Sequence, residues 1–274
     1  MQTLTYGLPV PHYPTGAPFL TRKEPELIQS GLSLEIVNSH YSLTFAESES
    51  DVRQAQRLRW QVFTQEFGAT ARCFQGGFDH DEFDTVCNHL IVKEIGSQQV
   101  VGTYRILWPE HAERLGRYYS QSGFYMTRLK RQLPNLVELG RSCVHPDHRN
   151  GVVIMLLWAG IARAMKHRNM RYLIGSASMC LQDGGHQAAA LWDRLMQSSL
   201  VDPVLESFPR NPLPLNRIER ALRVDEPPLV KGYLRIGAQV CGEPNWDVEF
   251  NSADFLMLLD IQNMNPRYAR HLGC

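Results

Sequence analysis

The chain has no charge excess, no paired cysteines and no apolar run long enough to cross a bilayer. Lys plus Arg and Asp plus Glu each number 28, so the net charge is zero. A nucleic-acid binder needs a basic surplus to neutralise phosphates, so no nucleic-acid partner is expected. The six cysteines (Cys73, Cys87, Cys143, Cys180, Cys241 and Cys274) show neither CxxC pairs nor the His/Cys spacing of a metal site. Reduced thiols in a cytoplasmic protein are the expectation, and no metal is expected. The longest apolar run, residues 152–162, falls well short of the roughly 20 residues a spanning helix needs. The first twenty residues lack a charged n-region and are broken by Pro9, Pro11, Pro14 and Pro18, so they do not read as a signal peptide. What is present is ordinary globular material: 43% hydrophobic and 20% charged residues over 274 positions.

Residues 1–40 read as a Pro-rich arm with a short helix near Glu24–Ser30. YSLTFAES alternates like a strand, and Ser48 with Asp51 forms a possible capping box ahead of a helix that Gly68 ends. Val52, Ala55, Leu58, Val62 and Phe63 fall at helical spacing in it. A polar, aromatic loop over 69–85 precedes two strands, HLIVKEI and VVGTYRILW, joined by a GSQQ hairpin turn. A helical stretch around Met126–Gln132 leads to the strand LVELGRSCV, the helix 152–167, the strand RYLIGSAS and a helix over 184–197. Six prolines between Pro203 and Pro228 mark an irregular connection at about 200–228. Regular structure resumes at LVKGYLRIGAQVCG, and SADFLMLLDI reads as a helix capped by Ser252. The expectation is an α/β (α+β) protein with a mixed central sheet flanked by helices.

The residues with chemistry to offer lie in four places. Asp81 and Asp84 sit in DEFD, suited to a cation, a ligand amine or neighbouring arginines. Arg59 interrupts an apolar helix, and Arg105 an apolar strand; a buried cation there needs a partner. Glu138 and Arg141 lie near the end of the strand in VELGRSCVHPDHRNG, which runs straight into a helix. A strand stopping where a helix begins collects unpaired backbone N–H groups at one spot, a place to hold a phosphate-bearing arm beside a carboxylate that moves a proton. His89, His145, His148, His186 and His271 read as loop or capping residues, and Cys143 shows no activating dyad for an acyl-enzyme.

This strand–loop–helix resembles the centre of the GNAT acyltransferases. Taken in order, Arg59, Phe63, Phe67, Asp81, Asp84, Arg105, Glu138 and Arg141 resemble the motif series of the acyl-homoserine-lactone synthases over residues 50–150, with Phe67 where that family has Trp. The longer segments FDTVCNHLIV, ELGRSCVHPDHRNGVVIMLLWAGIARAM and KGYLRIGAQVCGEPNWDVEFNSADFLMLLDI, with NPRYARHL, are similar to the bacterial ornithine lipid N-acyltransferases from about residue 42 to the end. That resemblance implies an N-terminal arm (1–41) and one GNAT-like domain (42–274). It implies transfer of a 3-hydroxy fatty acyl group from acyl carrier protein to the α-amine of ornithine. Glycine or lysine acylation, lactone synthesis and a non-catalytic acyl-chain or carrier-protein binder are the alternatives.

On that reading Glu138 is the base, directly or through water, with Arg141 beside it. Backbone N–H groups around Ser142 and Cys143 stabilise the oxyanion. Arg59, Phe63, Phe67, Asp81, Asp84 and Arg105 shape the acceptor end, and an arginine there grips the acceptor carboxylate. Val144, Arg149, Asn150, Gly151 and Val152 hold the phosphopantetheine arm. Only Gly151 remains where acetyl-CoA enzymes carry several glycines; Val152 and Ile154 restrict the backbone, so a one-phosphate arm fits better than a pyrophosphate. No tightly bound cofactor is implied; the acyl-carrier thioester is a co-substrate. A basic face of Arg128, Lys130, Arg131, Arg149, Arg163, Lys166, Arg168 and Arg171 is the candidate carrier-protein dock, and the amphiphilic product implies peripheral contact with the inner membrane.

Overall fold

The computed structural model describes residues 34–67 and 74–268. Its centre is a nine-stranded mixed sheet built from β1 (Glu35–Val37), β2 (Tyr41–Phe45), β3 (Asn88–Glu94), β4 (Val100–Leu107), β5 (Leu136–Val144), β6 (Tyr172–Cys180), β7 (Gln239–Val240), β8 (Asn245–Asp247) and β9 (Ser252–Asp260). The spatial order is β1-β2-β3-β4-β5-β6-β9-β7, with β8 also on β9. β5 and β6 pair in parallel, and the other ladders are antiparallel. The helices are α1 (Glu49–Phe67), α2 (Pro109–Leu115), α3 (Val152–His167), α4 (His186–Ser198) and α5 (Pro228–Ile236).

Period-2 alternation decides which face each strand residue serves. On β3, Leu90 and Val92 join the large core with Leu157 and Ile161 of α3, while Ile91 packs with Ala55, Leu58 and Val62 of α1. So α1 and α3 cover opposite faces. α1 starts at the expected place: Ser48 Oγ accepts the Asp51 N–H at 3.1 Å, and Asp51 reaches back to the Glu47 N–H at 3.2 Å. It ends at Phe67. The helix expected near Glu24–Ser30 lies outside the described residues.

The sheet begins at Glu35, inside the stretch read as an arm. Two further expectations need correction. Thr127–Leu129 is a single 3₁₀ turn rather than a helix. More consequentially, SADFLMLLD is a strand, not a helix. It runs antiparallel along all nine residues of β6, from Ser252↔Cys180 to Asp260↔Tyr172. A strand covered on both faces is apolar throughout, and such a run carries no periodic signal separating it from a buried helix. The helix comes earlier, at α5, where Pro228 opens it, Val230, Tyr233 and Ile236 are buried, and Gly237 closes it at φ +99°.

Candidate active site

β5 is shared between two partners that diverge. Its parallel pairing with β6 covers only Leu136↔Tyr172, Val137↔Leu173 and Glu138↔Ile174. Beyond that point β6 remains bound to β9 to its end, while β5 stays with β4 as far as Val144↔Gly102. The sheet therefore splits immediately after Glu138. At the apex stands Gly175. A Cβ there would lie 2.8 Å from the Leu139 carbonyl oxygen and 2.9 Å from the Tyr233 hydroxyl, so only glycine lets backbone and phenol approach this closely.

The split opens into a cavity of about 620 Å³, within the size range of small-molecule sites. Its walls include Glu138 to Val144 of β5, Ser176 and Ser178 of β6, Trp158 of α3, Tyr233 of α5, Phe63 of α1, and Asp247, Phe250 and Asp254. Residues from both helical layers line it, so the cavity passes through the sheet. His148, Arg149, Gly151, Ile154 and Met155 mark the end toward α3. Gly151 holds φ +89° ahead of α3, and Asn150 Oδ1 accepts the Val152 N–H at 3.0 Å. Asn150 and Val152 do not line the cavity; Val152 is exposed.

Glu138 is buried at the root of the split. Its carboxylate accepts the Tyr119 N–H at 2.6 Å and the Ser120 N–H at 2.8 Å, together with the Ser120 hydroxyl. Tyr119–Ser122 is a 3₁₀ turn, so these are free N–H groups of its first residues. Burial pushes the Glu138 carboxyl above its ordinary value against the pull of those donors. Deprotonated, it is a fixed and comparatively strong base.

Arg141 sits three residues on, in the left-handed region at φ +51°, where the β4–β5 register slips between Thr103 and Arg105. Such a bulge re-aims a side chain. Its guanidinium donates to the Tyr119 hydroxyl at 3.2 Å, pairs with Asp81 and Asp79 at 3.2 Å each, and lies over the rings of Tyr119 and Phe250.

Behind Arg141 the expected arginines and aspartates do come together. Arg59 reaches Asp79 at 2.7 Å and Asp84 at 2.9 Å; Arg105 reaches Asp81 at 2.5 Å and Asp84 at 3.4 Å. Burial alone would raise the Asp84 carboxyl, but Arg59 and Arg105 hold it well below the usual carboxylate range. His89, 3.6 Å from Asp84, is pushed down to about 4 by burial and is neutral at physiological pH. Three arginines thus face three aspartates, of which Asp79 escaped the sequence reading. Arg59, Asp81 and Asp84 do not line this cavity, and Arg105 borders a small pocket beside it with Tyr119, Glu138 and Gly140. Paired with one another and with Asp79, these four form a floor that carries Arg141. Phe63 does line the cavity; the side chain of Phe67 lies outside the described residues.

Ser142 hydrogen-bonds the Tyr104 hydroxyl, which lies 3.4 Å from the Tyr233 hydroxyl. Burial raises the Tyr233 phenol well above its ordinary value, so it stays protonated and can donate a hydrogen bond. Cys143 is buried, and its neighbours in the apolar cluster are Leu58 and Val62. Of the expected basic face, Arg128, Arg168 and Arg171 are engaged by Glu206, Glu110 and Asp260 at 2.6, 2.6 and 2.7 Å. No described helix is long and apolar enough to cross a membrane.

A mixed sheet split beside a carboxylate, followed by a strand–loop–helix, defines an acyltransferase of the GNAT fold, and the acetyltransferase (GNAT) domain family matches residues 58–159. The chain belongs to the L-ornithine N(alpha)-acyltransferase family. It is 32% identical over 244 residues to the L-ornithine N(alpha)-acyltransferase of Rhodobacter capsulatus, covering 83% of this chain and 93% of that protein. It is 33% identical over 250 residues to the protein of that name from Brucella abortus, covering 83% and 87%. The solved structure of the AHL synthase LasI superposes with a TM-score of 0.49 at 12% identity, covering 86% of this chain and 95% of that one.

Proposed function

We propose that the chain N-acylates ornithine, moving a 3-hydroxy fatty acyl group from the phosphopantetheine thioester of acyl carrier protein to the α-amine. The observation that carries this reading is the split after Glu138, which puts a buried carboxylate and an arginine on one side of a through-going cavity and the α3 loop on the other. The donor arm enters along His148, Arg149 and Gly151. The acceptor lies on the Glu138 side, with its carboxylate toward Arg141.

The amine nitrogen attacks the thioester carbonyl carbon, a C–N bond forms, and the C–S bond breaks. Glu138 takes the amine proton, directly or through one water, a contribution of about 10²- to 10⁴-fold. Backbone N–H groups of β5 beyond the split that face away from β4, that of Ser142 among them, bind the oxyanion, each worth roughly 3 kcal/mol. The Tyr233 hydroxyl lies beside the split and donates a hydrogen bond to the departing sulfur, which takes up the proton that Glu138 removed. The products are an amide and the free carrier thiol. Because this product is amphiphilic, peripheral membrane contact belongs to the same reading.

The test is mass spectrometry of purified protein given 3-hydroxyacyl carrier protein and a pool of amino acids. Acyl-ornithine is the expected product. Acyl-glycine or acyl-lysine instead would overturn the acceptor, and equal turnover of acyl-CoA would overturn the carrier preference.

A further inference from the structure

The acceptor side of the cavity holds more negative charge than its arginines balance. Asp79, Asp81 and Asp84 are each paired with Arg59, Arg105 or Arg141. Asp247 and Asp254 also line the cavity, yet among the described residues neither forms an ion pair with a Lys or Arg. Arg141 attracts Asp254 through space, while it pairs with Asp79 and Asp81 and donates to the Tyr119 hydroxyl.

The register puts the two carboxylates together. Asp247 of β8 pairs with Ser252 of β9, so Asp254, two residues along, is its diagonal neighbour on the same face. Ser252 donates to Asp254 Oδ1 at 2.9 Å, Ser178 bonds the same carboxylate from β6, and Asp247 Oδ1 accepts the Phe250 N–H at 3.0 Å. Asp254 is half-buried on the cavity wall facing a second carboxylate, and its carboxyl is raised to about 6 by burial first and Asp247 second. Tyr119 ties this corner to the reaction centre. Its N–H holds Glu138, its hydroxyl accepts from Arg141, and both aspartates act on that hydroxyl electrostatically.

We infer that Asp247 and Asp254 form a cation subsite that selects the acceptor by its side-chain ammonium. The inference rests on the ornithine reading above and deepens it. A diamino acid would place its carboxylate at Arg141, its α-amine toward Glu138 and its second ammonium between the two aspartates. The cation supplies the charge that the arginines leave uncompensated. Acceptors without that ammonium bury the pair unrelieved and are rejected. Asp247 and Asp254 do not touch the reacting atoms; their role is selection.

The experiment compares ornithine with norvaline, which has the same carbon skeleton without the terminal amine, as acceptors for wild type, Asp254→Asn and Asp247→Asn. A hydrogen-bonded charge is worth about 10- to 100-fold, so wild type should favour ornithine by at least that ratio of kcat/KM. Each variant should compress the ratio toward unity, chiefly through the KM for ornithine. Asp247→Asn keeps the test decisive should Asp254→Asn fold poorly. Wild type that acylates ornithine and norvaline equally would overturn the subsite alone. Variants in which both acceptors fall in parallel would do the same. Wild type that leaves ornithine unacylated would overturn the ornithine reading and this inference with it.

Discussion

A carboxylate kept in a cavity to meet a cation should cost stability while it waits, and Asp254→Asn measures that cost. The Asp254 carboxyl titrates near 6 in the fold against an ordinary value of 3.8. The folded state therefore binds this proton more tightly than the open chain does. Its contribution is intact below the ordinary value and is lost as pH rises from about 4 through 6. Above pH 7 the loss amounts to about 3 kcal/mol. Asparagine carries no charge to bury, but it weakens the bonds from Ser252 and Ser178 by about 1–2 kcal/mol in all. The net expectation at pH 7.5 is a gain of about 1–2 kcal/mol, or a few degrees in Tm for a chain of this length. Paired denaturant titrations of wild type and variant at pH 5.0 and 7.5 provide the assay. The variant's advantage should be larger at pH 7.5 and shrink or reverse at pH 5.0, titrating groups outside the Asp247–Asp254 pair cancelling between the two proteins. A variant less stable at pH 7.5, or a gap equal at both pH values, would refute the charge argument and make Asp254 an ordinary structural acceptor.

Glu138→Gln should lower kcat by about 10²- to 10⁴-fold. Because burial raises the Glu138 carboxyl, wild-type kcat should fall as pH drops through a value above the ordinary 4.5, and that limb should vanish in the variant. An unchanged pH–rate profile would remove Glu138 as the base. Gly175→Ala would drive a Cβ to 2.8 Å from the Leu139 carbonyl and 2.9 Å from the Tyr233 hydroxyl. Overpacking of this kind costs about 1–3 kcal/mol, and activity should fall further than stability because the displaced atoms frame the split. Denaturant midpoints and kcat measured together check this; a fully active variant would mean the apex does not position the site.

The strands and helices with clean periodicity were legible in the chain. LVELGRSCV and the helix 152–167 stand where their patterns put them, because each is amphipathic or long enough to declare its period. Glu138 and Arg141 were legible through motif resemblance, since nothing in their spacing announces that the sheet splits between them. That split follows from β9 claiming the whole of β6, a long-range pairing with no local signature. The same holds for Tyr119 and Ser120. They serve Glu138 largely through backbone N–H groups, which every residue but proline possesses.

Asp247 and Asp254 were hidden for a more specific reason. Read as a helix, SADFLMLLDI sets Ser252 and Asp254 about 200° apart, on opposite sides, and gives Asp254 no reason to meet Asp247. Read as a strand, residues two apart share a face, so Ser252 and Asp254 point into the same space as Asp247 on β8 and Ser178 on β6. One change of period converts scattered polar residues into the wall of a site. It also explains the Arg59 floor. Asp79, Asp81 and Asp84 are each paired with an arginine, so discrimination among amines falls to the carboxylates that β8 and β9 bring to the cavity. The tail beyond α5 is therefore the part of this chain where a change of acceptor would be written. Replacing Asp247 and Asp254 together should broaden the acceptor range toward neutral amino acids, while the chemistry at Glu138 still operates.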